Sequence, residues 1–149
     1  MFLPFLLFVL LALLLQSNMF DMSDPSGPNS GTFHLSPHAT GAEFRAQMKK
    51  SGLQFSLTPD PAGGLRIQRR TSLHGLQTTY YVNQRWEDML RRSKQKRELL
   101  TRTEEAVLEA QRDYLAHRCE AESQQQRAQK RAVAPEVCGE YHRYRKALA

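Results

Sequence analysis

Between residues 83 and 133 the chain contains no glycine and no proline, and this feature restricts its fold more than any other. The segment consists largely of Glu, Arg, Lys, Gln, Leu and Ala, which are strong helix formers. It predicts one long helix over residues 83–134, because Pro135 disfavours a helical conformation of the residue before it. About fifty residues of helix would measure about 75 Å, which is more than a small domain can cover.

Apolar residues follow only half of a coiled-coil heptad along this predicted helix. One row of positions, which begins at Trp86 and advances by seven residues, is mostly apolar, whereas the row three residues further on is mostly polar. A sustained homodimeric coiled coil is therefore not expected. A helix with one narrow apolar stripe more often packs against another protein or against short helices of its own chain. The sequence predicts a partner-binding stripe that contains Trp86, Leu100, Val107 and Tyr114.

The first twenty residues, 1–20, are uncharged and mostly apolar. A helix over 2–15 would span about 21 Å, and one extended to Phe20 about 28 Å, against a hydrocarbon core of about 30 Å. Three interpretations stay open: an uncleaved single-pass membrane anchor, a cleaved secretory signal, and a buried helix. The anchor is favoured, because the segment lacks a basic n-region and a small-x-small cleavage pair. A mitochondrial presequence is disfavoured, because such segments are rich in arginine.

Three further segments complete the predicted architecture. Residues 21–39 are rich in Ser, Pro, Gly and Asn, which predicts a flexible linker. Residues 40–82 predict a small α+β unit, and residues 135–149 predict a C-terminal tail with a short helix. The expected fold class is therefore mainly α: a hydrophobic transmembrane helix, a flexible linker, a short helix plus a β-hairpin, one long helix and a short C-terminal helix.

The predicted α+β unit opens with a short helix. Thr40 and Glu43 have the spacing of a capping box, in which each side chain accepts a hydrogen bond from the backbone of the other residue. Phe44 and Met48 then fall on one helical face. Gly52 is placed to end the helix, because glycine readily adopts the left-handed conformation at that position.

Alternating apolar and polar residues follow the predicted short helix. The stretches 53–57 and 65–67 both alternate and are separated by a turn-rich segment, which predicts a β-hairpin. A third alternating stretch, 78–82, predicts either one more strand or the approach to the next helix.

Positive charge is concentrated in one part of the sequence. All 21 Lys and Arg residues lie from Arg45 onward with 12 of the 15 acids, so this part carries a net charge of about +9. Such an excess suits anionic lipid, nucleic acid or an acidic protein face, although a solvated helix surface is the favoured interpretation. Nucleic acid is the less favoured partner, because no RNA-binding module signature is present. The predicted basic patch consists of Arg91, Arg92 and Arg97.

The two cysteines, Cys119 and Cys138, allow one disulfide. A straight helix to Ala134 would place Cys119 about 22 Å before the helix end, whereas four further residues reach back only about 14 Å. A bridge would require the helix to break near residues 123–129 and fold back, and the only turn-forming residue there is a serine. Two free thiols are therefore predicted.

Neither a metal site nor an active site is predicted. A set formed by His117, Cys119, Cys138 and His142 has the right ligands for zinc but the wrong spacing, because residues two apart on a helix face different directions. The acidic residues lie among arginines on an exposed helix, where ion pairing is expected. The sequence therefore predicts a protein that is not an enzyme and has no cofactor.

These features together predict a non-catalytic, single-pass membrane-anchored accessory subunit. It would dock its long helix onto a larger membrane complex, with membrane lipid and other protein subunits as partners. An organellar membrane, the mitochondrial one included, is the favoured location, and the secretory pathway is the second. The alternatives are a secreted or lumenal factor with a cleaved signal, and a membrane-tethered protein that binds RNA or another anionic surface. No small-molecule substrate is evident.

Overall fold

The computed structural model describes residues 38–149, which form four helices and a small three-stranded sheet. The elements are α1 (Gly41–Lys50), β1 (Phe55–Ser56), β2 (Ile67–Arg70), a 3₁₀ turn (Leu73–Gly75), β3 (Thr79–Val82), α2 (Gln84–Arg92), α3 (Lys96–Ala128) and α4 (Glu136–Ala147). The prediction of a mainly helical fold is confirmed. The predicted membrane segment 1–20 and nearly all of the predicted linker lie outside the described residues. Within residues 38–149, no helix is long and apolar enough to cross a bilayer.

Helix α1 begins and ends where the sequence predicts. The Thr40 hydroxyl accepts a hydrogen bond from the Glu43 backbone N–H (3.3 Å), and the Glu43 carboxylate accepts one from the Thr40 N–H (2.7 Å), which completes the capping box. At the other end Gly52 has φ +71°, and the Leu53 N–H donates to the Met48 carbonyl at 2.9 Å. This Schellman motif ends the helix and places Leu53 in the core.

The prediction of a hairpin between the first two strands is wrong, because β3 lies between them. The strand order is β1–β3–β2, and both pairs are antiparallel. Phe55 of β1 and Ile67 of β2 both lie opposite Val82 of β3. Tyr80 and Val82 are fully buried, so the strand with the most buried side chains takes the central position. The third alternating stretch is therefore a strand.

The main core lies between α1, the sheet, α2 and the N-terminal half of α3. At its centre the Trp86 side chain is fully buried, and its indole N–H donates to the Thr103 hydroxyl at 3.1 Å. That hydroxyl donates in turn to the Leu99 carbonyl at 2.8 Å, so the ring is buried with its polar atom paired. The buried apolar residues of this cluster are Phe44, Met48, Leu53, Tyr80, Val82, Trp86, Leu99, Ala106 and Val107.

The prediction of one continuous helix over 83–134 is wrong, because residues 93–95 separate α2 from α3. Ser93 has an extended backbone (φ −67°, ψ 137°), and its hydroxyl accepts a hydrogen bond from the Gln95 N–H at 3.0 Å. Serine competes with helical hydrogen bonding in this way. The basic residues on both sides of the break would also repel one another in a continuous helix. The break allows Trp86 of α2 to pack against α3.

Helix α3 ends at Ala128 in a motif that the sequence does not indicate. Lys130 has φ +53°, the Arg131 N–H donates to the Gln126 carbonyl at 3.0 Å, and the Lys130 N–H donates to the Arg127 carbonyl at 3.1 Å. These bonds form a Schellman motif with lysine at the position that glycine or asparagine usually takes. The left-handed conformation costs a residue with a Cβ atom about 1–2 kcal/mol.

Helix α4 packs against α3 and is bonded to it covalently. Cys119 and Cys138 form a disulfide, with their Cα atoms 4.7 Å apart. The prediction of two free thiols is therefore wrong, although the helix does break within the range 123–129 that a bridge requires. The Tyr144 hydroxyl and the Thr78 hydroxyl share a hydrogen bond of 2.6 Å. The buried residues of this second cluster are Leu76, Leu108, Leu115, Val137, Cys138 and Tyr144.

Candidate functional site

Tyr114 on the outer side of α3 is the most exposed aromatic side chain of residues 38–149, at 50%. The guanidinium of Arg118, one helical turn further on, lies 5.9 Å from the centroid of its ring. Arg118 also donates to the Glu122 carboxylate at 2.6 Å, and this bond raises the pKa of Arg118 above its usual value. The three residues form a row along one helical face, as i,i+4 spacing dictates.

An open groove of about 610 Å³ lies between α3 and α4 next to this row. It is lined by Arg118, Glu122, Glu136, Val137, Gly139, Glu140 and Arg143, and we call it the α3–α4 groove. Gly139 contributes no side chain to one part of the groove. That part is open, because a Cβ atom at this position would meet nothing within 4 Å.

The α3–α4 groove presents both signs of charge. Arg118 pairs with Glu122 across one turn of α3, and Arg143 lies 3.9 Å from Glu140 on α4. Because these groups are largely exposed, each pair contributes little to stability. They can therefore exchange their partners for those of a bound polypeptide at small cost. The disulfide fixes the two helices that form the groove.

The predicted partner-binding stripe is divided between the core and the surface. Trp86 and Val107 are fully buried, and Leu100 is half-buried against the main core. These three side chains pack within the domain, Leu100 with part of its surface exposed, and partner binding by the stripe stays a prediction. An apolar stripe at helical spacing does not distinguish an internal contact from an external one.

The predicted basic patch is exposed. Arg91 and Arg92 end α2, and Arg97 lies in the first turn of α3, so the break between the helices places all three at one corner of the domain. Tyr80 and Trp86, which lie close to the patch in sequence, are both fully buried. The rings of Tyr80 and Trp86 are therefore not available for stacking on unpaired bases, whereas the ring of Tyr81 is partly exposed.

The four residues considered as zinc ligands include two cysteines that are not free thiols in the structure. Cys119 and Cys138 are joined in the disulfide and hold no thiolate for a metal. Within residues 38–149, no group of three or more His, Cys, Asp or Glu side chains is arranged to hold a metal ion.

Sequence reasoning missed the part of the groove that α4 contributes. The row on α3 could have been found, because its members are spaced at i,i+4. The contribution of Glu136, Glu140 and Arg143 depends on the turn at Lys130, and no glycine or asparagine signals that turn.

A protein-family comparison matches most of the chain. The family described as "Domain of unknown function (DUF1977)" matches residues 44–148, which extend from α1 to the end of α4. The chain belongs to this family. Comparisons with curated proteins and with solved structures gave no significant match. The description of the DUF1977 family assigns no activity.

Proposed function

We propose that the chain is a non-catalytic, single-pass membrane-anchored accessory subunit of a larger complex. Residues 1–20 would provide the anchor, and the domain of residues 38–149 would dock onto a protein partner through Tyr114 and the α3–α4 groove. The partner-binding element is therefore a pair of bonded helices instead of the long single helix that the sequence predicts.

The half-exposed ring of Tyr114 next to a guanidinium is the observation that carries this proposal. Tyrosine and arginine are among the residues most often found at the energetic centre of protein interfaces. In the free protein the Arg118 guanidinium lies 5.9 Å from the centroid of this ring, and Arg118 also lines the adjoining groove. A surface that is already ordered loses less conformational entropy on binding.

The disulfide supports a location for the domain. Disulfides form and persist in oxidising compartments and are rare in the cytosol. We propose that residues 38–149 face the oxidising interior of an organelle, with the anchor in the membrane that encloses it. This favours the secretory pathway or a comparable oxidising space.

A photo-crosslinking amino acid placed at position 114 of the full-length chain, in its native membrane, tests the docking surface. The matched control position is Gln68, which is also exposed but lies on β2. We expect one discrete adduct of higher mass from position 114, lost when Arg118→Glu is added, and no such adduct from position 68. Equal adducts from both positions, or none from position 114, would contradict the proposal. So would recovery of the chain from mild detergent as a lone monomer.

An engineered glycosylation site tests the compartment. Lys130→Asn with Ala132→Ser creates an Asn-Arg-Ser acceptor in an exposed turn, and asparagine tolerates the left-handed conformation of residue 130. Lys130→Asn alone creates no acceptor and is the control. A glycan on the double variant alone would place the domain in the secretory lumen. Thiols that react with maleimide before reduction would contradict an oxidising compartment of any kind.

A second candidate function is a secreted or lumenal factor whose N-terminal segment is removed. The disulfide favours it as much as it favours a lumenal domain on an anchor. N-terminal sequencing of the mature protein distinguishes the two. A mature N-terminus near residues 18–24 would contradict the anchor, and retention of Met1 would contradict the secreted factor.

A further inference from the structure

The corner between α2 and α3 carries a dense group of positive charges, which we call the basic corner. Its members are Arg91, Arg92, Lys94, Lys96 and Arg97. All of these side chains are exposed, and within residues 38–149 none of them forms a salt bridge. The arginines that do form ion pairs lie elsewhere, at Arg45, Arg69, Arg112, Arg118 and Arg143.

The backbone of the basic corner is fixed by hydrogen bonds at the break. The Ser93 N–H donates to the Met89 carbonyl at 2.8 Å, and the Ser93 hydroxyl accepts from the Gln95 N–H at 3.0 Å. The Leu99 N–H then donates to the Gln95 carbonyl at 3.0 Å, where α3 begins. The cations therefore project from an ordered turn between two helices, both of which pack on the main core.

Local helix stability accounts for only part of this charge. Arg91 and Arg92 lie in the last turn of α2, where the negative end of the helix dipole favours them. Lys96 and Arg97 lie in the first turn of α3, where the positive end of the dipole disfavours them. Cations this close in sequence also repel one another. A bound polyanion would offset both effects.

Two classes of polyanion fit the surroundings poorly. Single-stranded nucleic acid is held by stacking on aromatic rings as well as by charge, whereas Tyr80 and Trp86 are fully buried and Tyr81 is only partly exposed. Anionic lipid is concentrated in the cytoplasmic leaflet of membranes, whereas the disulfide indicates a compartment on the other side. A polypeptide segment rich in aspartate and glutamate needs neither exposed aromatic rings nor a cytoplasmic location. Its carboxylates accept paired hydrogen bonds from arginine.

We propose that the basic corner binds an acidic segment of a partner polypeptide, whose carboxylates pair with Arg91, Arg92 and Arg97. The inference rests on the proposed function for the compartment alone. The basic corner is a second contact, separate from Tyr114 and the α3–α4 groove, and it selects the partner by charge.

Binding of a fluorescein-labelled peptide of alternating glutamate and serine to the full-length chain in neutral detergent micelles tests this proposal by fluorescence anisotropy. The test variant carries Arg91→Gln, Arg92→Gln and Arg97→Gln. The control variant carries Arg127→Gln, Lys130→Gln and Arg131→Gln, which removes the same charge from exposed positions in the last turn of α3 and directly after it. We expect the test variant to bind about tenfold more weakly than the natural chain, because three ion pairs with the peptide are lost. The control variant should bind within about twofold of the natural chain, because long-range charge is screened.

Equal loss of affinity in the two variants would overturn the proposal, because it would show attraction to net charge and not to the basic corner. Tighter binding to a single-stranded oligonucleotide than to the peptide would overturn the proposal in favour of nucleic acid. Tighter binding to vesicles with anionic lipid than to vesicles without it would overturn the proposal in favour of lipid. Failure of the proposed function gives a different result: no crosslink from position 114, or reactive thiols, with the peptide affinities unchanged. Far-UV circular dichroism that matches the natural chain shows that the test variant is folded.

Discussion

The two halves of the domain are held together by different means. The main core around Trp86 gathers side chains from α1, the sheet, α2 and α3, and its stability comes from apolar burial. The α3–α4 unit buries fewer side chains, and it adds the Cys119–Cys138 disulfide and the hydrogen bond between Thr78 and Tyr144. The smaller apolar cluster is therefore stabilised in part by a covalent cross-link, whereas the larger cluster has none. The candidate docking surface lies on the cross-linked half.

Truncation of the Trp86 ring should have the largest effect on the stability of the domain. Trp86→Ala removes a fully buried indole and is expected to lower the free energy of unfolding by about 3–5 kcal/mol. The measurement is urea unfolding of the full-length chain followed by far-UV circular dichroism, because Trp86 is the only tryptophan. The control Tyr114→Ala should cost less than about 0.5 kcal/mol, since that ring is half-exposed. Similar costs for both variants would contradict the division between core and docking surface.

Removal of the disulfide should have the second-largest effect on stability, and it should act on the half of the domain that contains α4. Cys119→Ala with Cys138→Ala opens a loop with a sequence separation of 19 residues, and is expected to cost about 3 kcal/mol. Hydrogen exchange should accelerate in the amides of α4, whereas those of β3 keep most of their protection. Equal acceleration in the two elements would show that the halves unfold as one unit.

High pH should weaken the main core through Tyr80. Burial raises the pKa of Tyr80 from 10.0 to about 12, with the charge of Glu104 as a further cause; Arg69 opposes the shift without reaching hydrogen-bond geometry with the hydroxyl. The unfolded chain loses this proton near pH 10 and the folded chain holds it to about pH 12. Stability should therefore fall across that range by about 2–3 kcal/mol.

The matched variant for this alkaline effect is Tyr80→Phe. It should flatten the dependence of the urea midpoint on pH above 10, and it should cost little at neutral pH, because the hydroxyl has no hydrogen-bond partner among the described residues. An unchanged pH dependence in Tyr80→Phe would assign the alkaline loss to another group.

The smallest expected effect is a gain at the turn between α3 and α4. Lys130→Gly relieves a positive φ at a residue with a Cβ atom, and is expected to stabilise the chain by about 0.5–1 kcal/mol after the entropic cost of glycine. Lys130→Ala keeps the Cβ atom and should leave stability unchanged. A gain in the alanine variant would show that lysine charge, and not backbone conformation, is the source of the cost.

Local signals in the sequence predicted local structure, but they did not predict contacts between residues that lie far apart in the sequence. The capping box at Thr40 and the left-handed Gly52 are chemical signatures that a few neighbouring residues contain in full. The break at Ser93 and the turn at Lys130 use residues that also occur inside helices, so composition favoured a continuous helix. The disulfide and the α3–α4 groove follow from that turn and were therefore missed. Tyr114 was found as an apolar residue, and its exposure became known only from the packing of α3.

The closed loop between Cys119 and Cys138 also sets a mechanical property of the domain. The chain between the two cysteines could extend to about 65 Å if it were free, and the bond holds its ends at a Cα separation of 4.7 Å. A pulling force transmitted along the chain therefore passes through the sulfur atoms and bypasses the turn at Lys130. Because Cys138 lies near the start of α4, a force that reaches this cysteine would load α3 at Cys119 through the disulfide, and the residues between the two cysteines would carry none of it.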